Sequence, residues 1–73
     1  MQQKIRIINC LFVDETEGRI FQKKKGARKA LKKGHSVRAI VTTKENERLG
    51  TSNIVSIGKR CIKSTDNIYK LKQ

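Results

Sequence analysis

From Lys4 to Val13 the chain reads KIRIINCLFV, with Ile5, Ile7, Leu11 and Val13 at one parity and Ile8, Cys10 and Phe12 at the other. Alternate residues of a strand face opposite ways, so apolar residues at both parities predict a strand covered on both sides. Asp14-Glu15-Thr16-Glu17-Gly18 then supplies turn chemistry, with Gly18 free to take a positive φ, and Arg19-Ile20-Phe21 completes a β-hairpin over 4–21.

Within the next segment, Ala27, Ala30 and Leu31 have the i, i+3, i+4 spacing of a narrow apolar stripe, and Gly34 stands where a helix would stop. This predicts a short helix from about Ala27 to Lys33 inside a basic helix or loop over 22–34. Against it stand Gly26, the lack of a Ser, Thr, Asp or Asn cap, and the like-charge neighbours Lys25/Lys29, Arg28/Lys32 and Lys29/Lys33.

From Ser36 the pattern returns to strands: SVRAIVTT, a polar turn KENERLG, then TSNIVSI, RCIKST and NIYKLK, a β meander over 36–72. Asp66-Asn67 tolerates the positive φ angles of a two-residue hairpin loop. That loop would set Thr65 opposite Ile68, Ser64 opposite Tyr69, Lys63 opposite Lys70 and Ile62 opposite Leu71. Ile62, Tyr69 and Leu71 would then form a core face, and Lys63, Lys70 and Lys72 a cationic one. The whole predicts one mainly β (α+β) domain over 1–73, an antiparallel sheet of about five to six strands with one short basic helix.

The chain of 73 residues carries a net charge of +12. The run QKKKGARKALKKG contains Lys23, Lys24, Lys25, Arg28, Lys29, Lys32 and Lys33 and no acid. Solvated helix faces usually mix both signs, so an unmixed one points to a polyanion. Asp14, Glu15, Glu17, Glu45, Glu47 and Asp66 all fall in predicted turns, which would leave the body of the domain positive. A start without a long apolar stretch predicts a cytoplasmic protein with no membrane contact. Cys10 and Cys61, without a ligand cluster around them, are expected to be reduced and to serve neither a disulfide nor a metal.

The stretch Thr51-Ser52-Asn53-Ile54-Val55-Ser56-Ile57, followed by Ile62 to Leu71, resembles a terminal hairpin common in small bacteriophage and mobile-element β proteins. The pattern there is T-S-x-[IV]-[IV]-x-I, a turn, then [IV]-x-T-x-N-S-x-Y-x-L, and Ser64, Asp66 and Asn67 replace its Thr, Asn and Ser. The resemblance implies a small SH3-like or barrel-like fold and a phage-type origin, and it carries over no binding residue.

Lysine ammoniums that neutralise a phosphate backbone release condensed counterions, which gives affinity with little sequence information. Lys23, Lys24, Lys25, Arg28, Lys29, Lys32 and Lys33 are therefore the candidate phosphate contacts, with Arg38, Lys63 and Lys70 assisting. Arg28 is the residue of the run able to fork onto a phosphate or a guanine edge. Tyr69, Phe12 and Phe21 are assigned to the core, so no stacking platform is expected. His35 is expected to be a loop histidine. No paired carboxylates, triad spacing or metal set appears outside the turns, so neither catalysis nor a cofactor is expected. The expected partner is DNA or RNA. The alternatives are an anionic nucleotide held by a homo-oligomer, and an acidic host protein, whose docking an exposed apolar patch would mark.

Overall fold

The computed structural model describes residues 3–71, so Lys72 of the expected cationic face lies outside the described residues. Strand β1 (Gln3–Asp14) is the spine. Along one edge it pairs antiparallel with β3 (Val37–Thr43). Along the other it pairs antiparallel with β2 (Arg19–Phe21) at one end and parallel with β7 (Asn67–Leu71) at the other. The remaining strands are β4 (Arg48–Gly50), β5 (Ile54–Ile57) and β6 (Cys61–Ser64), and one helix, α1 (Lys24–Lys32), follows β2. All seven strands belong to one sheet, whose path runs β4-β3-β1-β7-β6-β5 with β2 beside β1. The mainly β fold with one short helix is as expected, but the sheet is mixed and not wholly antiparallel, because β7 returns alongside β1 in the same direction. The extra strand is β4, which forms inside the polar stretch KENERLG because Asn46 takes a φ of 65° and lets the chain turn back onto β3.

The expected meander is broken between β4 and β5, which are consecutive in the chain but occupy opposite ends of the sheet path. Residues 51–53 span that gap. The Thr51 amide donates to the Ala39 carbonyl (2.8 Å), the Ala39 amide to Thr51 Oγ1 (2.9 Å), and the Thr65 amide to the Asn53 carbonyl (3.1 Å). The sheet is thereby curled around its inward face. Ile7, Phe12, Val37, Ala39, Val41, Ile54, Ile62 and Tyr69 meet there, joined by Ala27 and Ala30 of the helix. Each large side chain so buried contributes about 1.5–3 kcal/mol.

Two expectations about register are corrected. Between Ile7 and Asn9 the β1–β3 ladder skips one residue, a β-bulge at Ile8. Ile5 and Ile7 face inward, but past the bulge the inward parity passes to Cys10, Phe12 and Asp14, and Leu11 and Val13 turn outward. The strand is therefore closely covered on one face only. At the other end of the chain, Ile62 pairs with Tyr69 and Lys63 with Ile68, so the loop is Thr65-Asp66 and the register lies two residues from that expected. The buried Ser64 hydroxyl sets it, accepting from the amides of Asp66 (3.3 Å) and Asn67 (3.0 Å) and donating to the Asn67 carbonyl (3.1 Å). A shift of two keeps every side chain on its face, so Ile62, Tyr69 and Leu71 still point inward and Lys63 and Lys70 outward.

Candidate functional site

The helix starts one turn earlier than expected, at Lys24. It does so without a side-chain cap at Lys23, and with lysines where the positive end of the helix dipole disfavours them. Two cation–carbonyl bonds compensate. Lys24 Nζ donates to the carbonyl of Lys59, and Arg28 Nε donates to the carbonyl of Ile57 at 3.2 Å, tethering the first half of the helix to the end of β5 and the turn after it. Gly26 fits inside the helix because the Phe21 ring lies against it, 2.6 Å from where a Cβ would stand. The far end closes as a Schellman motif: Gly34, at φ 81°, donates to the Leu31 carbonyl (3.0 Å), and the His35 amide donates to the Ala30 carbonyl (3.0 Å).

Burial of Ala27 and Ala30 fixes the rotation of the helix. Lys25, Arg28, Lys29, Lys32 and Lys33 are consequently exposed on the far side. The first four line a shallow groove of about 220 Å³. Among the described residues, no ion pair includes any residue of 23–33. Three of the six acids are committed elsewhere: Glu15 to Arg38 (3.1 Å), Glu17 to Arg19 (3.7 Å) and Asp14 to His35.

The other expected contacts are placed differently. Arg38 is on the outward face of β3, held by Glu15 and by Asn53 Oδ1 at 3.4 Å, whereas the helix covers the inward face. Lys63 and Lys70 project outward from β6 and β7, on the face opposite the core that the helix covers. Lys59 and Arg60 lie between the two groups. The Lys59 carbonyl receives Lys24, and the Arg60 carbonyl receives the Leu71 amide (2.8 Å), so this exposed turn borders both the helix and β7. Both residues follow Gly58 in a legible turn; their nearness to the helix depends on a contact 35 residues apart in sequence.

Compared with family models, curated proteins and solved structures, the chain finds no match.

A second cluster gathers behind the helix stop. Asp14 was expected in a turn; it is instead the last residue of β1, 1% exposed on the inward face, with His35 Nδ1 2.8 Å from its Oδ2. Its other oxygen accepts from the amides of Thr16 (3.0 Å) and Glu17 (3.3 Å). The His35 hydrogen bond holds the Asp14 carboxyl below the usual range, burial opposing it and the backbone amides assisting. Glu17 stands 3.8 Å from the same ring nitrogen, but Arg19, Lys29 and Lys33 border this hollow, and positive neighbours suit a closed polar tie better than a cation site. Cys10 and Cys61 are both free thiols, Cys10 half-buried and Cys61 exposed. Burial pushes the Cys10 thiol up to about 12, the Lys24 ammonium opposing it.

Proposed function

We propose that this chain binds nucleic acid through its phosphates, with little sequence preference, using the solvent face of α1. The observation that carries the reading is the groove of Lys25, Arg28, Lys29 and Lys32, four cations on one helix face that pair with no carboxylate among the described residues. Such a face favours a ligand of regularly repeating negative charge, because each phosphate neutralised releases counterions. Arg28 is held by its Nε on the Ile57 carbonyl, leaving its terminal nitrogens to fork onto a phosphate. Lys23, Lys24 and Lys33 add charge at the two ends of the helix, and Lys63 and Lys70 form a separate outward patch. The groove is open and shallow, which suits a polymer lying across it better than an enclosed nucleotide. The terminal hairpin pattern is what supports a phage or mobile-element accessory role.

Mobility shifts with duplex DNA, single-stranded DNA and RNA, each at low and physiological salt, test the reading. Binding that weakens steeply with salt is expected. The absence of a shift on all three polymers overturns it, and saturation by a mononucleotide at fixed stoichiometry with polymers ignored replaces it with the small-nucleotide alternative.

A further inference from the structure

A second concavity adjoins the helix, and it differs in chemistry from the cationic groove. It holds about 570 Å³, within the range of small-ligand sites, and lies across the outward face of β1, β3 and β4. Its floor is apolar: Leu11, turned outward by the bulge at Ile8, pairs across the ladder with Ile40, which is 43% exposed. Asn9 and Gln22 offer amide groups at its border. The Asn9 carbonyl oxygen is occupied by the Cys10 amide at 2.8 Å, which leaves its NH₂ group to donate. Lys23 stands at one side and Arg48 at another, and neither makes an ion pair among the described residues.

An apolar floor flanked by amides and bordered by cations fits a planar heterocycle with a hydrogen-bonding edge and a phosphate on each side. Lys23 lines this cleft, and Lys25, two residues on, lines the helix groove, so a chain of phosphates following the helix passes the mouth of the cleft. We infer that the cleft over Leu11 and Ile40 is a base-binding subsite, and that the nucleic acid bound is single-stranded. This rests on the phosphate-binding reading of α1 and adds a strand preference to it. Bases within a duplex are stacked and paired and cannot reach a sheet surface, whereas those of a single strand can be splayed onto one. The floor is aliphatic, so the gain per base belongs at the low end of the range for stacked bases, about tenfold in affinity.

The test compares three probes at one salt concentration: a short single-stranded DNA, an abasic strand of the same length with the same phosphates, and a duplex of the same sequence. The base-containing strand is expected to bind about tenfold tighter than the abasic one. Gln22→Ala and Ile40→Ser, both at exposed positions, are expected to erase that difference while leaving the abasic strand's affinity unchanged, which also reports that the variants are folded. Equal affinity for base-containing and abasic strands overturns the subsite and leaves the phosphate reading standing. Failure of all three probes to bind overturns both.

Discussion

His35 Nδ1 lies 2.8 Å from Asp14 Oδ2, tying the residue after the helix stop to the end of the first strand. The bond spans 21 residues of sequence and places a carboxylate that is 1% exposed against the core. Its consequence is pH-dependent stability. The Asp14 carboxyl is depressed in the folded chain by the His35 hydrogen bond, so its contribution is fully present above the ordinary aspartate value of about 3.9 and is lost as pH falls through the depressed folded value. Asp14→Asn is expected to lower the urea midpoint at neutral pH, with the gap to the parent closing in strong acid. A gap of the same size at both ends would show that the carboxylate charge contributes nothing.

A second expectation concerns Gly26. Alanine would gain about 1 kcal/mol of helix propensity, but its Cβ would stand 2.6–3.1 Å from three atoms of the Phe21 ring, including the atom at the root of the ring. Overpacking of that kind costs about 1–3 kcal/mol, so Gly26→Ala is expected to destabilise the fold by about 1 kcal/mol net. The double variant Gly26→Ala with Phe21→Leu should recover the lost stability, and denaturant titration of the pair reads the coupling.

Much of the strand pattern was legible because alternation survives local error. The terminal hairpin illustrates this: Asp66-Asn67 looks like the loop, Thr65-Asp66 is the loop, and the two-residue shift still sends Ile62 and Tyr69 inward. A bulge is less forgiving. One extra residue at Ile8 exchanges the faces of everything after it in β1, and in the run INCLF no glycine or proline marks it, Asn9 alone being too weak a signal to announce a bulge. That exchange buries Asp14 and creates the Leu11–Ile40 floor, so both the polar tie and the cleft were invisible beforehand. The cationic helix face was legible from composition and the Ala27/Ala30 spacing. Its tether to Ile57 and Lys59 was not, because it joins segments about 30 residues apart that nothing local connects.

The hairpin register rests on one hydroxyl. Ser64 is fully buried and its Oγ serves the amides of Asp66 and Asn67 and the Asn67 carbonyl, so Ser64→Ala leaves up to three backbone groups short of a partner. A loss of about 1–3 kcal/mol is expected. Ser64→Thr, which keeps the hydroxyl, should cost less unless the added methyl overpacks the core. Equal stability of the Ala variant and the parent would show that the loop closes without this hydroxyl.

The two cysteines should differ in reactivity. The thiolate is the nucleophile, and burial raises the Cys10 thiol to about 12, while Cys61 is exposed on the outward face of β6. Alkylation of the folded chain at mildly alkaline pH is expected to modify Cys61 first, with Cys10 protected until denaturant is added. Peptide mass mapping over time distinguishes this from equal labelling, which would mean that β1 opens readily beside Lys24.

The phosphate reading makes a prediction in which stability and binding move in opposite directions. Lys25 and Lys29 sit one turn apart on the exposed helix face, and like charges so placed destabilise a helix by about 0.2–0.5 kcal/mol. Replacing both with Gln relieves that repulsion, so the variant should unfold at slightly higher denaturant than the parent. If both ammoniums contact phosphates, its affinity for nucleic acid should fall, and the slope of log affinity against log salt should flatten by about 1.4 on single strands and about 1.8 on duplex DNA. Lys44→Gln, in the exposed turn between β3 and β4, serves as the control for general loss of charge and should leave the slope nearly unchanged. A double variant with unchanged slope would place the phosphates elsewhere on the surface, and the outward Lys63 and Lys70 patch would become the next pair to replace.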